Sequence, residues 1–295
     1  MEIPGLILLE KIGAGGMSSV WKAADPVNNR YVAVKILNAN LSTRGEEVRA
    51  LKLEERRMEE IRHPGIVQAY DFDNIDGQWY IVMEYVDGYS YADYLVRRHH
   101  VREADCLLIA QSVAAALGYA WNDHGIVHCD LKPENLMINS EGQIKILDLG
   151  VSYRYQAREG EIEQASHVSG TPAYISPEQV LANVELDCRA DIYSLGATLY
   201  HLASGKPLFP GYDNEASLRA HCNESVQAKD PRIFRPELSR GFVQMLEAML
   251  VKNRDGRVGS WEDVITLARA VESGVEFQPR DSEGNSSLRL SPYDD

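Results

Sequence analysis

The sequence predicts an α+β protein in two parts, a small β-rich N-terminal part followed by a larger helical one. Three observations carry this. Residues 31–37 alternate, with Val32, Val34 and Ile36 on one face and Ala33, Lys35 and Leu37 on the other, which is the period of a strand. Asp76-Gly77 separates two further β-rich runs, 67–75 and 78–85, in the manner of a hairpin turn. From about Asp87 the apolar spacing turns helical, most clearly over residues 104–121.

The other elements follow in order. Residues 6–12 are apolar, a glycine-rich turn follows, and 19–23 reads as the returning strand. Residues 25–29 form a turn cluster, and 46–62 reads as a helix stopped by His63-Pro64-Gly65. Residues 144–147 make a short strand, while 191–204, 238–250 and 261–271 carry helical patterns. The stretch 278–295 is rich in Ser, Asp, Glu and Gly, the composition of a disordered tail. The expected organisation is 1–86, 87–271 and a polar tail over 272–295, with 85–88 as the connection.

Composition narrows the function. A chain of 295 residues that is 44% hydrophobic buries a sizeable core. A formal net charge of -14 argues against nucleic acid as the main partner and against a polybasic membrane-surface protein. It leaves room for a nucleotide, because a small site can be locally basic or bridged by metal. Cys106, Cys129, Cys188 and Cys222 are widely spaced, with no Cys-x-x-Cys pair, so neither a zinc site nor a disulfide framework is expected. The first residues lack the pattern of a signal peptide, no apolar run is read as membrane-spanning, and a reducing, cytoplasmic setting is expected. The chain is also compatible with being the cytoplasmic part of a longer protein.

Five motifs carry chemistry. Gly13-Ala14-Gly15-Gly16-Met17-Ser18-Ser19-Val20 is a glycine-rich turn whose backbone N–H groups could approach a phosphate closely. It is not a Walker A loop, since no Gly-Lys-Ser/Thr closes it, and it runs from strand to strand rather than from strand into helix. Alone, it reads equally as a flexible hairpin. Val32-Ala33-Val34-Lys35 places a lysine among small apolar residues on a strand. On helix 46–62, Val48, Leu51, Met58 and Ile61 make an apolar stripe on which both Glu54 and Glu55 fall. A carboxylate turned to a core needs a partner, and Lys35 is a candidate, but periodicity does not choose between the two glutamates. The most specific run is His128-Cys129-Asp130-Leu131-Lys132-Pro133-Glu134-Asn135. In it, Asp130 can accept a proton from a hydroxyl, Lys132 can neutralise a phosphoryl oxygen, and Asn135 offers a carbonyl oxygen to magnesium. Asp148-Leu149-Gly150, straight after a strand, suits a metal ligand beside a mobile loop.

In order and spacing these motifs resemble the eukaryotic-type serine/threonine protein kinase family over residues 6–271, with 80–88 and 170–179 most similar to its bacterial branch. The resemblance implies a two-lobed kinase fold, with a small β-rich N-lobe, a larger helical C-lobe and an ATP cleft between them. It implies magnesium-dependent transfer of the ATP γ-phosphoryl group to serine or threonine hydroxyls of protein substrates, with autophosphorylation. It assigns Ile12, Gly13, Ala14, Gly15, Gly16, Met17, Ser18, Ser19 and Val20 to the nucleotide, with Val20 and Ala33 packing on adenine. Lys35 would hold the α- and β-phosphates, and the family's spacing picks Glu54 over Glu55 as its partner. Met83 would be the gatekeeper, with Glu84 to Val86 as the hinge. Asp130 would orient the substrate hydroxyl, Asn135 and Asp148 would bind magnesium, and Lys132 and Thr171 are typical of serine/threonine enzymes. Glu178 should pair with Arg257, Asp191 should brace the loop at 128–135, and Glu134 is a candidate reader of a basic residue on the substrate.

Three departures stand out. Ser18 replaces the third loop glycine and Leu149 replaces a phenylalanine, both mild changes. Cys129 replaces the arginine that in the family binds a phosphate on the activation loop. The expectation is an enzyme that does not rely on that contact, its loop being ordered through Arg154, Arg158, Glu159, Glu161 and Glu163, with Ser166, Ser169 and Thr171 as phosphosites. Two other readings stand beside the active kinase: a pseudokinase acting as a nucleotide-binding scaffold, and a kinase-like enzyme for small molecules. Oligomeric state is not legible.

Overall fold

The structure, a computed structural model, describes residues 2–149, 152–155, 170–182 and 185–274. In chain order the elements are β1 (Ile7–Ala14), β2 (Ser18–Asp25), β3 (Arg30–Leu37), α1 (Gly45–Glu60), β4 (Ala69–Ile75), β5 (Gln78–Glu84), β6 (Gly88–Ser90), α2 (Tyr91–Arg98), α3 (Glu103–His124), β7 (Ile126–Val127), β8 (Leu136–Asn139), β9 (Ile144–Ile146), β10 (Tyr153–Arg154), α4 (Pro177–Leu181), α5 (Cys188–Ser204), α6 (Asn214–Cys222), α7 (Arg240–Met249) and α8 (Trp261–Glu272). They resolve into two units: Met1–Gly88 with Ile138–Gly150, and Tyr89–Met137 with the described residues from Ser152 onward. The first unit is thus not a single stretch of chain, because residues 138–150 belong to it.

In the first unit five antiparallel strands form one sheet in the order β1-β2-β3-β5-β4. Val32, Val34 and Ile36 join Ile3, Ala23, Tyr80 and Val82 in one apolar cluster, as the alternation predicts. The opposite face carries Ala33, Lys35 and Leu37. Asp76 and Gly77, at φ 51° and 81°, make the two-residue turn between β4 and β5, the left-handed pair of angles for which Asp-Gly is suited. α1 stops at Glu60, earlier than its pattern suggests, because the backbone is already extended at Ile61 ahead of His63-Pro64. β9 docks by its backbone: Ile146 N–H donates to Gly65 O at 2.8 Å, and Val67 N–H to Ile146 O at 3.0 Å. Gly88 lies so close to Ile138 that a Cβ would sit 2.0 Å from its carbonyl oxygen, so only glycine fits there.

The second unit is built on α3 and α5. Buried apolar residues recur along α3, and Gly118 lets it close on α8, where a Cβ would stand 3.2 Å from Trp261 Cβ. By length and composition α3 could cross a membrane, which the expectation of no spanning-length run overlooks; in the structure it is a packed core helix. α5 is buried along most of its length and starts ahead of the expected residue 191, because Asp187 caps it by accepting Arg189 N–H at 2.9 Å. Ser239 and Ser260 cap α7 and α8 in the same way. α2 opens with a capping box of Ser90 and Asp93, a start signal inside a stretch read only as generally helical. The expected tail over 278–295 lies outside the described residues, as do Arg158, Glu159, Glu161, Glu163, Ser166 and Ser169.

Candidate active site

The first unit gathers the residues assigned to the nucleotide. Strand register sets Val20 opposite Lys35, and Ala33 opposite Met83, so all four share one face of the sheet. The glycine-rich turn closes β1 onto β2 with Gly13 opposite Val20 and Ala14 opposite Ser19. Gly15 N–H donates to Ser18 O at 2.8 Å. Asn38 then ties the turn to the end of β3: its N–H donates to Met17 O at 2.8 Å and its amide to Gly16 O at 2.9 Å. None of Gly13, Gly15 or Gly16 has a positive φ, and a Cβ on any of them would meet only ordinary contact or open space. Neither backbone conformation nor internal packing demands glycine at these three positions. Ile12 and Met17 are exposed, Ala33 and Val86 are buried, and Met83 and Glu84 are half-buried.

Lys35 is the electrostatic centre of this unit. Its ammonium donates to Glu54 Oε1 and Oε2 at 2.6 and 2.8 Å and to Asp148 Oδ1 at 3.2 Å. Glu54 is buried and holds the Lys35 ammonium, whereas Glu55 is half-buried, so the contact singles out Glu54. Burial pushes the Glu54 carboxyl up, to about 7, against the pull of Lys35. Burial alone would lower the Lys35 ammonium, but Glu54 and Asp148 outweigh it and hold it above its ordinary value. Asp148 sits just beyond β9 with a left-handed backbone at φ 54°.

The second unit holds the run from His128 to Asn135. Asp191, buried at the start of α5, accepts His128 N–H at 2.6 Å and Cys129 N–H at 2.8 Å. Burial raises its carboxyl to about 6, while the two backbone donors and His128 favour the charged form. From the same helix Thr198 donates to Leu131 O at 3.2 Å. The loop turns at Cys129, which is buried with φ 66°. Asp130, Lys132 and Thr171 then close a ring. Lys132 Nζ donates to Asp130 Oδ2 at 2.6 Å and to Thr171 Oγ1 at 2.7 Å, and Thr171 Oγ1 donates to Asp130 Oδ1 at 2.6 Å. Asn135 donates its amide to Asp130 O at 2.8 Å, which orients the amide and leaves its carbonyl oxygen as the end available to a cation.

Thr171 is anchored in turn. Gly170, at φ 128°, lies against Cys129 O, and Gln179 Nε2 donates to that same oxygen at 2.8 Å. Glu178 and Arg257 form a buried bidentate pair at 2.6 and 3.1 Å, as the resemblance implies. Glu134 is exposed and lines a cavity of about 530 Å³ with Tyr174, His201 and Lys206. Asn38, Thr198 and Gln179 escape a reading of the sequence, since each acts on backbone atoms far along the chain and carries no local pattern for that role.

A β-sheet unit centred on a lysine–glutamate pair and a helical unit centred on an Asp-Lys-Thr ring are what the resemblance to the protein kinases implies. The chain belongs to the protein kinase domain family, whose model matches residues 6–267. Among its relatives is a probable serine/threonine-protein kinase of Streptomyces coelicolor, 34% identical over 91% of this chain and 39% of that protein. The serine/threonine-protein kinase PknB of Mycolicibacterium smegmatis is 32% identical over 97% of this chain and 46% of its own length. PrkC of Bacillus subtilis, also a serine/threonine-protein kinase, is 34% identical over 87% of this chain and 39% of its own. The chain thus spans less than half the length of these curated relatives.

Proposed function

We propose that this chain transfers the γ-phosphoryl group of ATP, with magnesium, to serine or threonine hydroxyls of protein substrates, itself included. The observation that carries the reading is the ring of Asp130, Lys132 and Thr171, which presents a carboxylate and an ammonium side by side with all three groups within 2.7 Å of a partner. Asp130 aims the acceptor hydroxyl and takes its proton, while Lys132 neutralises charge on the phosphoryl oxygens. Lys35, steered by Glu54, holds phosphate, and the glycine-rich turn leaves its backbone open to close approach.

Magnesium-ATP supplies the phosphoryl donor and additional positive charge. Each unit offers an oxygen of the kind magnesium takes: in the second, Asn135 has its carbonyl oxygen oriented for a cation, and in the first, Asp148 carries a carboxylate that also meets Lys35. No observation favours a scaffold without transfer, since Lys35, Glu54, Asp130, Asn135 and Asp148 are all present. A cytoplasmic setting belongs to the same proposal.

The test is transfer of labelled phosphate from ATP, with magnesium, to the protein itself and to a generic basic protein, beside small metabolites. Transfer to protein that vanishes in Asp148→Asn supports the reading. Nucleotide binding without transfer to any acceptor would sink it.

A further inference from the structure

One buried charge has no part in the scheme above. Lys145 lies in the middle of β9, between Ile144 and Ile146, and is itself buried. Its ammonium meets Glu84 Oε1 at 2.5 Å, with 10% and 24% of the two side chains exposed. Glu84 Oε2 accepts Gln68 N–H at 3.4 Å, and Glu84 N–H donates to Gln68 O at 2.9 Å, so the carboxylate is fixed on its own side. The nearby His63 imidazole is held below its ordinary value by burial and by Lys145, so it adds no compensating charge to the pair.

The placement closes a frame within the first unit. Glu84 ends β5 and stands opposite Val32 of β3. β3 carries Lys35, whose ammonium holds Asp148 at 3.2 Å. Asp148 follows β9 after a single residue, and β9 carries Lys145, which returns to Glu84. Two ion pairs therefore tie the segment 145–148 to the sheet at two points, and the backbone bonds of Ile146 hold its middle. A segment pinned at both ends by so few residues has little freedom to shift one anchor without the other. Partial burial keeps the pair together, because separating the charges would leave each poorly solvated.

We propose that Lys145 and Glu84 are positioning residues, whose ion pair sets β9 and through it the carboxylate of Asp148 that receives the metal and nucleotide. This rests on the kinase reading above. It extends the site to a strand position that touches no substrate.

The experiment uses the whole chain and four variants: Lys145→Met, Lys145→Arg, Glu84→Gln and the double Lys145→Met/Glu84→Gln. Met and Gln keep the volume of the side chains they replace, so the fold should survive. Phosphate transfer is measured over ranges of magnesium and ATP, magnesium-ATP binding by calorimetry, and melting temperature alongside. Lys145→Met should raise the magnesium requirement and the ATP KM about tenfold with a smaller change in kcat, and Lys145→Arg should restore most of the loss. The double variant should be no worse than the worse single one, as expected of two residues acting as a pair. A lower melting temperature with unchanged magnesium and ATP constants would show a structural role only and overturn the proposal. So would faster transfer in Lys145→Met, which would make the pair a restraint. If the unaltered chain transfers nothing, the kinase reading fails, while calorimetric binding still judges the frame: weaker magnesium-ATP binding in Lys145→Met upholds it, and unchanged binding removes it.

Discussion

Replacing Thr171 by valine isolates the hydroxyl at the centre of the Asp130–Lys132 ring, since valine keeps the branched shape. That hydroxyl donates to Asp130 Oδ1 at 2.6 Å and accepts from Lys132 Nζ at 2.7 Å. Hydrogen bonds to charged groups contribute about 1.5–3 kcal/mol each. The full sum does not apply here. Lys132 and Asp130 keep their direct 2.6 Å contact, and with 21% and 14% of their side chains exposed, water can replace part of what is lost. A net loss of about 1.5–3 kcal/mol in positioning Asp130 corresponds to roughly 10–100-fold in kcat. Thr171→Ser keeps the hydroxyl and should stay within about threefold of the unaltered rate. The assay is the initial rate of labelled phosphate transfer at saturating ATP, with thermal denaturation in parallel. A folded Thr171→Val protein that transfers at the unaltered rate would refute the role given to the ring.

Two further outcomes follow from buried charge. Arg257 is fully buried against Glu178, so Arg257→Met strands a carboxylate and should cost about 3–5 kcal/mol of unfolding free energy in a denaturant titration. Adding Glu178→Leu should recover part of that, and a double variant as unstable as the single one would contradict the account. The third outcome concerns pH. Burial lowers the His221 imidazole from 6.5 to about 4, so the folded protein keeps it neutral while the unfolded chain takes up a proton below 6.5. Its contribution is therefore present at neutral pH and is lost as pH falls from 6.5 toward the folded value. His221→Asn keeps an acceptor for the Tyr193 hydroxyl but does not titrate. The stability gap between the unaltered chain and this variant should narrow by about 2 kcal/mol between about pH 7.5 and about 4.5, and a constant gap would show that His221 does not titrate as described.

Much of this was readable because the chemistry sits in contiguous runs. Residues 128–135 carry Asp130, Lys132 and Asn135 within one short stretch, and alternation alone separates the two faces of β3. The choice of Glu54 was not readable from periodicity, because positions three and four residues beyond Leu51 lie on the same helical stripe; contact with Lys35 settles it. The left-handed turn at Cys129 was hidden as well, since cysteine announces no positive φ and it is a tertiary bond, from its N–H to Asp191, that holds it. The start of α5 was missed for a simpler reason: Asp187 is a cap ahead of the apolar pattern that marked the helix. The Lys145–Glu84 pair left one faint trace, a lone lysine between two isoleucines on a short strand.

The return of residues 138–150 to the first unit has a consequence for how the chain comes off the ribosome. When Gly88 has emerged, the five-stranded sheet is complete, but Lys35 still lacks Asp148 and Glu84 still lacks Lys145. Those partners arrive only after the segment bearing Asp130 and Asn135 has been synthesised. A fragment ending at residue 88 would keep Lys35 on Glu54 and Glu84 on Gln68 N–H, but each would lack its second partner until residues 145–148 have been made. The frame around Asp148 is therefore closed only by chain synthesised after residues 130–135.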